Sequence, residues 1–126
     1  MFRLLSSVYT IFKNYIYPPT TRKNIPKNIR LLTWKTYNNN NTIGKCYACD
    51  GHIDNRNWHC SHVVSDKKGG LPIVENLRPC CQHCNLSCGK QNLYAYIKDK
   101  KLTGLGQKHV TAYMKKNPSQ FNSKRV

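Results

Sequence analysis

The sequence predicts a small α+β domain stabilised by zinc, with a basic arm before it and a basic tail after it. Two Cys-x-x-Cys pairs, Cys46/Cys49 and Cys81/Cys84, enclose a strand pattern, a turn and a helix pattern. Hydrophobic residues make up 39% of the 126 residues, a thin supply for the core of so small a domain. Such domains often need a metal or disulfide bonds as a further constraint, and cysteine can provide either.

The first 44 residues are expected to form an arm rather than part of the core. Prolines at positions 18, 19 and 26 interrupt it, and asparagines 38–41 form a polar, low-complexity run. Residues 29–37 could form a short strand or a helix that packs on the domain, with Trp34 as the packing anchor. The chain is thus divided into the basic arm (1–44), the zinc-stabilised domain (45–100) and the basic tail (101–126).

The middle of the domain is expected to be a hairpin inserted between the two cysteine pairs. Residues 58–65 are β-branched and aromatic, which is typical of a strand. Residues 66–70 contain Asp, Lys and two Gly, the composition of a turn. Residues 71–74 begin the return segment, and residues 76–80 lead into a helix.

Helices are predicted in the second half of the chain. The first covers 82–88 and ends near Gly89, because glycine commonly terminates helices. The second covers 92–101, where apolar residues recur at helical spacing. The tail has a helical pattern at 108–116.

The paired cysteines indicate a zinc site. Two thiolates separated by two residues wrap a tight turn around one Zn(II), and two such turns complete a tetrahedron. Cys80 and Cys88 are alternative ligands that the spacing leaves open. A site with four sulfur ligands has no open position, so its expected role is structural. The simplest ligand set is Cys46, Cys49, Cys81 and Cys84.

Disulfide bonds are the competing use of cysteine, and two observations argue against them. Seven cysteines cannot all pair within one chain. The N-terminal apolar runs are short and are followed by two prolines instead of a small-residue cleavage site, so we expect no secretory signal. We therefore expect an intracellular protein with reduced thiols. The acid-free, basic N-terminus also fits an organelle transit peptide, and a viral origin fits the same composition.

The charge of the chain points to a polyanionic partner. Lys and Arg number 21 against 5 Asp and Glu, so the formal net charge is +16. Every acidic residue lies between Asp50 and Asp99, which leaves both flanks purely cationic. Such a chain releases counterions from nucleic-acid phosphates; the alternatives are a merely soluble basic protein and attraction to an anionic membrane surface. The apolar N-terminal stretch is too short to span a bilayer, so we expect no membrane insertion.

Five short motifs follow one another in a set order. They are Cys46-x-x-Cys49, His62-Val63-Val64, Gly69-Gly70, Asn76-Leu77-Arg78-Pro79 and Cys81-x-x-Cys84-Asn85. Together they resemble the HNH endonucleases of the ββα-metal nuclease superfamily. The resemblance covers residues 46–88 and leaves out both basic flanks. It implies a ββα-metal fold and hydrolysis of phosphodiester bonds in nucleic acid.

The resemblance implies roles for three residues. His62 would be the general base that takes a proton from the attacking water, and an imidazole suits this role because it titrates near neutral pH. Asn76 would orient His62 or hold the loop of the hairpin. Asn85 would help to hold one catalytic divalent cation, Mg(II) or Mn(II).

The residue before the expected base departs from the family pattern. Many members have Asp or His there as a metal ligand, whereas this chain has Ser61, whose hydroxyl is a poor ligand for a hard cation. Waters could complete the shell, or His59 or Asp66 could replace the missing ligand. The third interpretation is that the catalytic metal site has been lost and the protein only binds.

The expected partner is DNA, most simply double-stranded, bound through its phosphates with low sequence specificity. The alternative is a catalytically inactive zinc protein that binds DNA, or one that binds RNA by stacking bases on aromatic side chains. A nuclease with one active centre must pair, or act twice, to cut both strands. The expected phosphate contacts are Arg78, Lys67, Lys68 and Lys90.

Overall fold

The computed structural model describes residues 24–118. Within them, four α-helices and two small antiparallel sheets form a mixed α/β domain, as the sequence predicts at this coarse level. Residues 1–23 and 119–126 lie outside the described residues, and with them the prolines at 18 and 19 and the end of the tail. In chain order the elements are α1 (Lys27–Asn38), β1 (Ile43–Lys45), β2 (His52–Asp54), β3 (His59–His62), two short 3-10 helices (Asp66–Lys68 and Val74–Asn76), β4 (Leu77–Cys80), α2 (Gln82–Cys88), α3 (Leu93–Lys100) and α4 (Leu105–Lys116).

The first sheet presents the first Cys-x-x-Cys turn at its end. β1 and β2 pair antiparallel with Lys45 opposite His52, so residues 46–51 form the connecting turn. The backbone closes this turn: the Cys46 N–H donates to the Gly51 carbonyl at 2.7 Å, and the Asp50 N–H donates to the Cys46 carbonyl at 2.9 Å. Asp50 has a φ of 68°, a left-handed conformation that Asp tolerates better than most residues.

The second sheet is the inserted hairpin. β3 pairs antiparallel with β4, which places His62 opposite Leu77. β3 is shorter than the predicted strand 58–65, and the return strand begins later than predicted. β3 ends early because the backbone N–H and carbonyl of Val64 are bonded to the side chain of Asn76 instead of to a partner strand. The return strand begins late because Val74–Asn76 form a 3-10 helix. Helix α2 follows β4 directly and packs on β3.

The helices in the second half of the chain agree with the predicted pattern. α2 has the predicted bounds, and Gly89 follows it with a φ of 55°. α3 lies within the predicted 92–101. α4 begins at Leu105, earlier than the predicted 108, and packs on α3 so that Ile97 and Val110 are buried between core residues.

Two glycines attach the start of α4 to the first Cys-x-x-Cys turn. The Gly104 N–H donates to the Ala48 carbonyl at 2.9 Å, and the Gly106 N–H donates to the Tyr47 carbonyl at 2.8 Å. A Cβ on Gly104 would lie 2.4 Å from the Tyr47 carbonyl oxygen, so the close approach requires glycine. The first residues of the predicted basic tail are therefore hydrogen-bonded to the cysteine turn.

Helix α1 packs on the rest of the molecule, although the sequence assigns it to the arm. Of the two alternatives for residues 29–37, the helix is the one observed. Trp34 is only 3% exposed, its ring centroid lies 5.2 Å from that of Trp58, and its indole N–H donates to the Asn41 carbonyl at 2.8 Å. Trp34 is thus a packing anchor that also fixes the turn after α1.

One hydrophobic core joins the four helices with β2, β3 and β4. Leu77 of β4 and Leu93 and Ile97 of α3 are completely buried in it, and Ala48 of the cysteine turn reaches the same core. Among residues 24–118, no helix combines the length and the apolar character needed to cross a membrane.

Candidate metal centre and active-site cleft

The two Cys-x-x-Cys pairs meet at one point. The four Sγ atoms all lie within 4.8 Å of one another, and those of Cys49 and Cys81 are 3.9 Å apart. In a tetrahedral site with Zn–S distances of about 2.3 Å, neighbouring sulfurs are about 3.8 Å apart. The donor set therefore fits a metal ion such as zinc. Its members are those that the sequence predicts: Cys46, Cys49, Cys81 and Cys84.

Backbone N–H groups point at these sulfurs in both turns. The Cys49 N–H faces the sulfur of Cys46 at 3.5 Å, and the Gly51 N–H faces that of Cys49 at 3.4 Å. In the second turn the Cys84 N–H faces the sulfur of Cys81 at 3.3 Å. Hydrogen bonds of this kind stabilise a thiolate, so the turns are arranged to present charged sulfur.

The thiols of this cluster oppose one another's ionisation. A hydrogen bond with Cys80 lowers the pKa of Cys46 to about 4. Burial, and then the charge of Cys46, raise the pKa of Cys84, and burial is also the main cause that raises the pKa of Cys49. The thiolate of Cys46 forms easily while those of Cys49 and Cys84 are disfavoured, so a cation at the centre is what would allow the thiolates to coexist.

The alternative ligands Cys80 and Cys88 are not part of this group of four sulfurs. Cys80 is fully buried against Cys46 on the core side, and the sulfur of Cys88 donates to the Gln91 carbonyl at 3.3 Å. Across residues 24–118, the four cysteines are the only group of three or more His, Cys, Asp or Glu side chains close enough to share a metal ion.

A cleft of about 480 Å³ lies beside the second hairpin and is called the polar cleft. The end of β3 contributes Ser61 and His62 to its wall, and α2 contributes Asn85, so three predicted site residues from two elements line one cleft. Asp66 is the one acidic side chain of the described residues on this wall. The cations that line the polar cleft are Arg30, Lys67 and Lys90.

The side chain of Asn85 is held between two side chains of β3. The Ser61 hydroxyl donates to Asn85 Oδ1 at 2.8 Å, and Asn85 Nδ2 donates to His59 Nδ1 at 3.0 Å. Ser61 and His59 lie on the same side of the strand, as the alternation of strand side chains predicts. Ser61 is 2% exposed, so it reaches the cleft mainly through its bond to Asn85.

Asn76 is engaged with the loop backbone rather than with the cleft. Its Oδ1 accepts the Val64 N–H at 2.8 Å, and its Nδ2 donates to the carbonyls of Val64 at 3.1 Å and Leu71 at 3.0 Å. The side chain therefore closes the loop that follows His62. Of the two roles that the resemblance implies for Asn76, this geometry corresponds to holding the hairpin loop.

Arg78 lies outside the polar cleft. Its Nη1 donates to the carbonyls of Leu77 at 2.8 Å and Glu75 at 3.1 Å, and its guanidinium lies 5.6 Å from the ring centroids of both Tyr37 and Tyr47. These contacts occupy the side chain that the sequence assigns to phosphate binding. Lys68 is exposed on the same 3-10 helix as Lys67 but does not line the cleft.

Two residues that shape the cleft were not predicted. Asn92 accepts the Ser65 N–H at 2.9 Å, which holds the segment after His62 against the start of α3. The sequence gives no local signal for this bond, because Asn92 is the first residue of the predicted helix and its side chain reaches Ser65, 27 positions away, instead of capping that helix. Arg30 donates to the Trp58 carbonyl at 2.5 Å and lies 4.2 Å from the centre of that ring. No local pattern could reveal it, because the two residues are 28 positions apart.

No protein-family model, curated protein or solved structure matches this chain. The interpretation of the polar cleft therefore depends on the chemistry of its own side chains.

Proposed function

We propose that this protein is an HNH-type endonuclease that hydrolyses phosphodiester bonds in DNA. The observation that supports this most is the composition of the polar cleft. It combines His62 and Asn85, the base and the metal ligand implied by the resemblance, with Arg30, Lys67 and Lys90. A base, a metal ligand and cations in one open cleft are what hydrolysis of a phosphodiester requires.

We further propose that Zn(II) occupies the four-cysteine site in a structural role. All four ligands are protein thiolates, so no coordination position would remain for water or substrate. The site joins the first cysteine turn to the start of α2. It would therefore fix the helix that carries Asn85, and the end of the hairpin that carries His62, to the first sheet.

His62 acts on the attacking water as general base. It is half-buried at the end of β3 and lines the polar cleft, where it would take a proton from the attacking water. Arg30, Lys67 and Lys90 bind the phosphate oxygens and offset the negative charge that builds on them. Arg30 suits this role because its guanidinium is already ordered against Trp58.

Asn85 is the side chain that would hold the catalytic divalent cation, Mg(II) or Mn(II), with His59 or Asp66 as the further protein ligand. Ser61 acts through Asn85: its hydroxyl uses one lone pair of Oδ1 and leaves the other for the cation. When bound, the cation would neutralise charge on the phosphate and on the leaving oxygen. A site with so few protein ligands suits Mg(II), because this ion usually keeps several of its waters.

A catalytically inactive protein that binds DNA or RNA is the second candidate. The observation that favours it concerns the described part of the chain. There, no three His, Cys, Asp or Glu side chains in the polar cleft are close enough to share a cation. If Asn85 and one partner hold the metal too weakly, the cations would bind phosphate without cutting it.

A plasmid assay separates the two candidates. Supercoiled DNA and single-stranded RNA are incubated with the protein in Mg(II) or Mn(II) buffer and without divalent metal. We expect metal-dependent nicking of DNA that falls by about 10²–10⁴-fold in His62→Ala, which is the usual contribution of a general base. The matched control is His52→Ala, since His52 is exposed on β2 away from the cleft.

Binding of DNA or RNA by the wild-type protein, with no cleavage in either metal, would leave the inactive binding protein as the function. Equal nicking by His62→Ala and wild type would remove His62 as the base.

A further inference from the structure

We infer that a second groove, beside α1, binds the DNA strand where it continues beyond the polar cleft. This groove has a volume of about 290 Å³ and is called the α1 groove. Arg30 and Trp58 line both the α1 groove and the polar cleft, so the two are adjoining parts of one surface. The inference rests on the proposed function, because it concerns the same substrate.

The α1 groove carries cations and carboxamides, and no acid, around an apolar centre formed by Leu31, Trp34 and Trp58. Lys27, Arg30 and Lys35 project into it from α1, and asparagines 39–41 and 55 add neutral amides. None of the five acidic residues, all of which lie in the described part of the chain, is among its lining residues. Cations and amide N–H donors in the absence of an acid are the groups that bind a phosphate backbone.

The floor of the α1 groove is rigid. Trp34 and Trp58 are 3% and 4% exposed and pack on each other beneath it. The Trp34 indole holds the Asn41 carbonyl, so the asparagine turn at one end of the groove is fixed. Arg30 is held by the carbonyl and the ring of Trp58 at the junction with the polar cleft. Side chains ordered in advance lose less entropy when they bind a ligand.

The length of the α1 groove sets the size of its ligand. Lys27 and Lys35 are eight residues apart on one helix, which corresponds to about 12 Å at 1.5 Å per residue. Phosphates of one strand in a duplex advance by about 3.4 Å per nucleotide along the axis. The groove would therefore contact roughly three or four nucleotides on one side of the bond that is cut.

The test compares two pairs of lysines in a protein that binds but does not cut. In the His62→Ala background, Lys27→Ala/Lys35→Ala removes two cations of the α1 groove. The matched control Lys98→Ala/Lys100→Ala removes two exposed cations of α3 that line neither the groove nor the cleft. Binding to a fluorescent duplex is measured by anisotropy between about 50 and 200 mM salt, the range over which phosphate contacts weaken markedly.

We expect the groove pair to lower the slope of log Kd against log salt by about two, since each lost phosphate contact contributes about 0.9. The control pair should leave the slope unchanged. When four base pairs are removed from one end of the duplex, the parent protein should bind the shortened duplex only as tightly as the groove variant binds the full-length one. An unchanged slope for the groove pair, or an equal decrease for both pairs, overturns the inference.

The two proposals fail in different ways. If the wild-type protein nicks plasmid but the groove pair binds with the parent slope, the α1 groove is wrong and the nuclease stands. If the groove pair lowers the slope but the wild-type protein never cuts DNA, the groove stands and the nuclease is wrong.

Discussion

Asn76 and Asn85 have the same side chain, but their surroundings give them different functions. Asn76 is 8% exposed and makes three hydrogen bonds, all to backbone groups of the hairpin loop. Asn85 is half-buried on the wall of the polar cleft, and its side chain bonds to the side chains of Ser61 and His59. A carboxamide saturated by backbone stabilises a loop, whereas one held by side chains at a cleft can still accept a ligand.

Substitution of these two residues should therefore separate stability from activity. Asn76→Ala leaves a buried N–H and two carbonyls without partners, so we expect a loss of about 2–4 kcal/mol in the free energy of unfolding. Asn85→Ala should cost about 1 kcal/mol or less, because water in the cleft can replace its bonds. It should instead lower metal-dependent cleavage by about 100-fold, comparable to the loss of a partner in a metal site.

Urea unfolding and plasmid nicking measure the two effects on the same preparations. The metal dependence of Asn85→Ala is the control for its role: a ligand variant needs more Mn(II), whereas a merely loosened fold does not. A strong loss of stability in Asn85→Ala with unchanged cleavage would contradict both assignments.

The buried thiol of Cys88 adds a pH dependence to stability. Burial raises its pKa to about 11, so in the folded protein it stays protonated where an ordinary thiol has ionised. The unfolded chain releases this proton first, so stability is complete below about pH 8.5 and decreases as the pH rises from about 9 towards 11. Cys88→Ala lacks this part of the decrease. Urea unfolding of both proteins across this range checks it, and identical pH profiles would contradict it.

The two sheets are too small to be stable by themselves. β1 and β2 have three residues each, and β3 and β4 have four each. An isolated two-stranded hairpin is at best marginally stable in water. The four cysteines connect the turn of the first sheet with the end of the second, so a metal ion bound there would make two weak elements depend on each other.

Removal of zinc should therefore unfold the domain. Structural zinc in small domains contributes an apparent 10–16 kcal/mol, as much as the whole stability of a typical protein. We expect about one zinc per chain after native purification, close to none in Cys84→Ser, and loss of a cooperative unfolding transition in that variant. Metal analysis and urea unfolding followed by circular dichroism measure both quantities.

Cys88→Ala is the matched control for the zinc prediction. Cys88 lies one helical turn after Cys84 and is also buried, but its sulfur bonds to the Gln91 carbonyl. It should keep one zinc per chain and lose only about 1 kcal/mol of stability. If zinc were retained in Cys84→Ser but lost in Cys88→Ala, the role of fourth zinc ligand would belong to Cys88 and not to Cys84.

At the scale of the whole molecule, the features that the sequence could reveal are those coded by neighbouring residues. The cysteine set, the hairpin turn and the bounds of α2 all depend on spacings of a few positions. The meeting of Ser61, His62 and Asn85 in one cleft also follows from a hairpin with a helix directly after it. Metal ligands and turns can be recognised from short sequence patterns, because the residues that form them lie close together in the chain.

The features that the sequence did not reveal depend on contacts between distant segments. Arg30 enters the cleft only because α1 packs on Trp58, and α4 is attached to the cysteine turn by backbone bonds of Gly104 and Gly106. The asparagine run at the end of α1 has the polar composition that is typical of a disordered segment. A hydrogen bond from the Trp34 indole to the Asn41 carbonyl nevertheless fixes it. None of these contacts has a periodicity, so they emerge only when the chain is folded.

The number of catalytic groups per chain determines how the proposed nuclease cuts a duplex. Each chain has one His62, so one turnover hydrolyses one strand, and the second strand requires a second event or a second chain. A plasmid time course should therefore show open circles before linear DNA, with linear DNA favoured at higher protein concentration. Because the net charge of +16 drives association, both rates should fall steeply between about 50 and 200 mM salt. Linear DNA formed without an open-circle intermediate at every concentration would instead mean that two chains act as one preassembled pair.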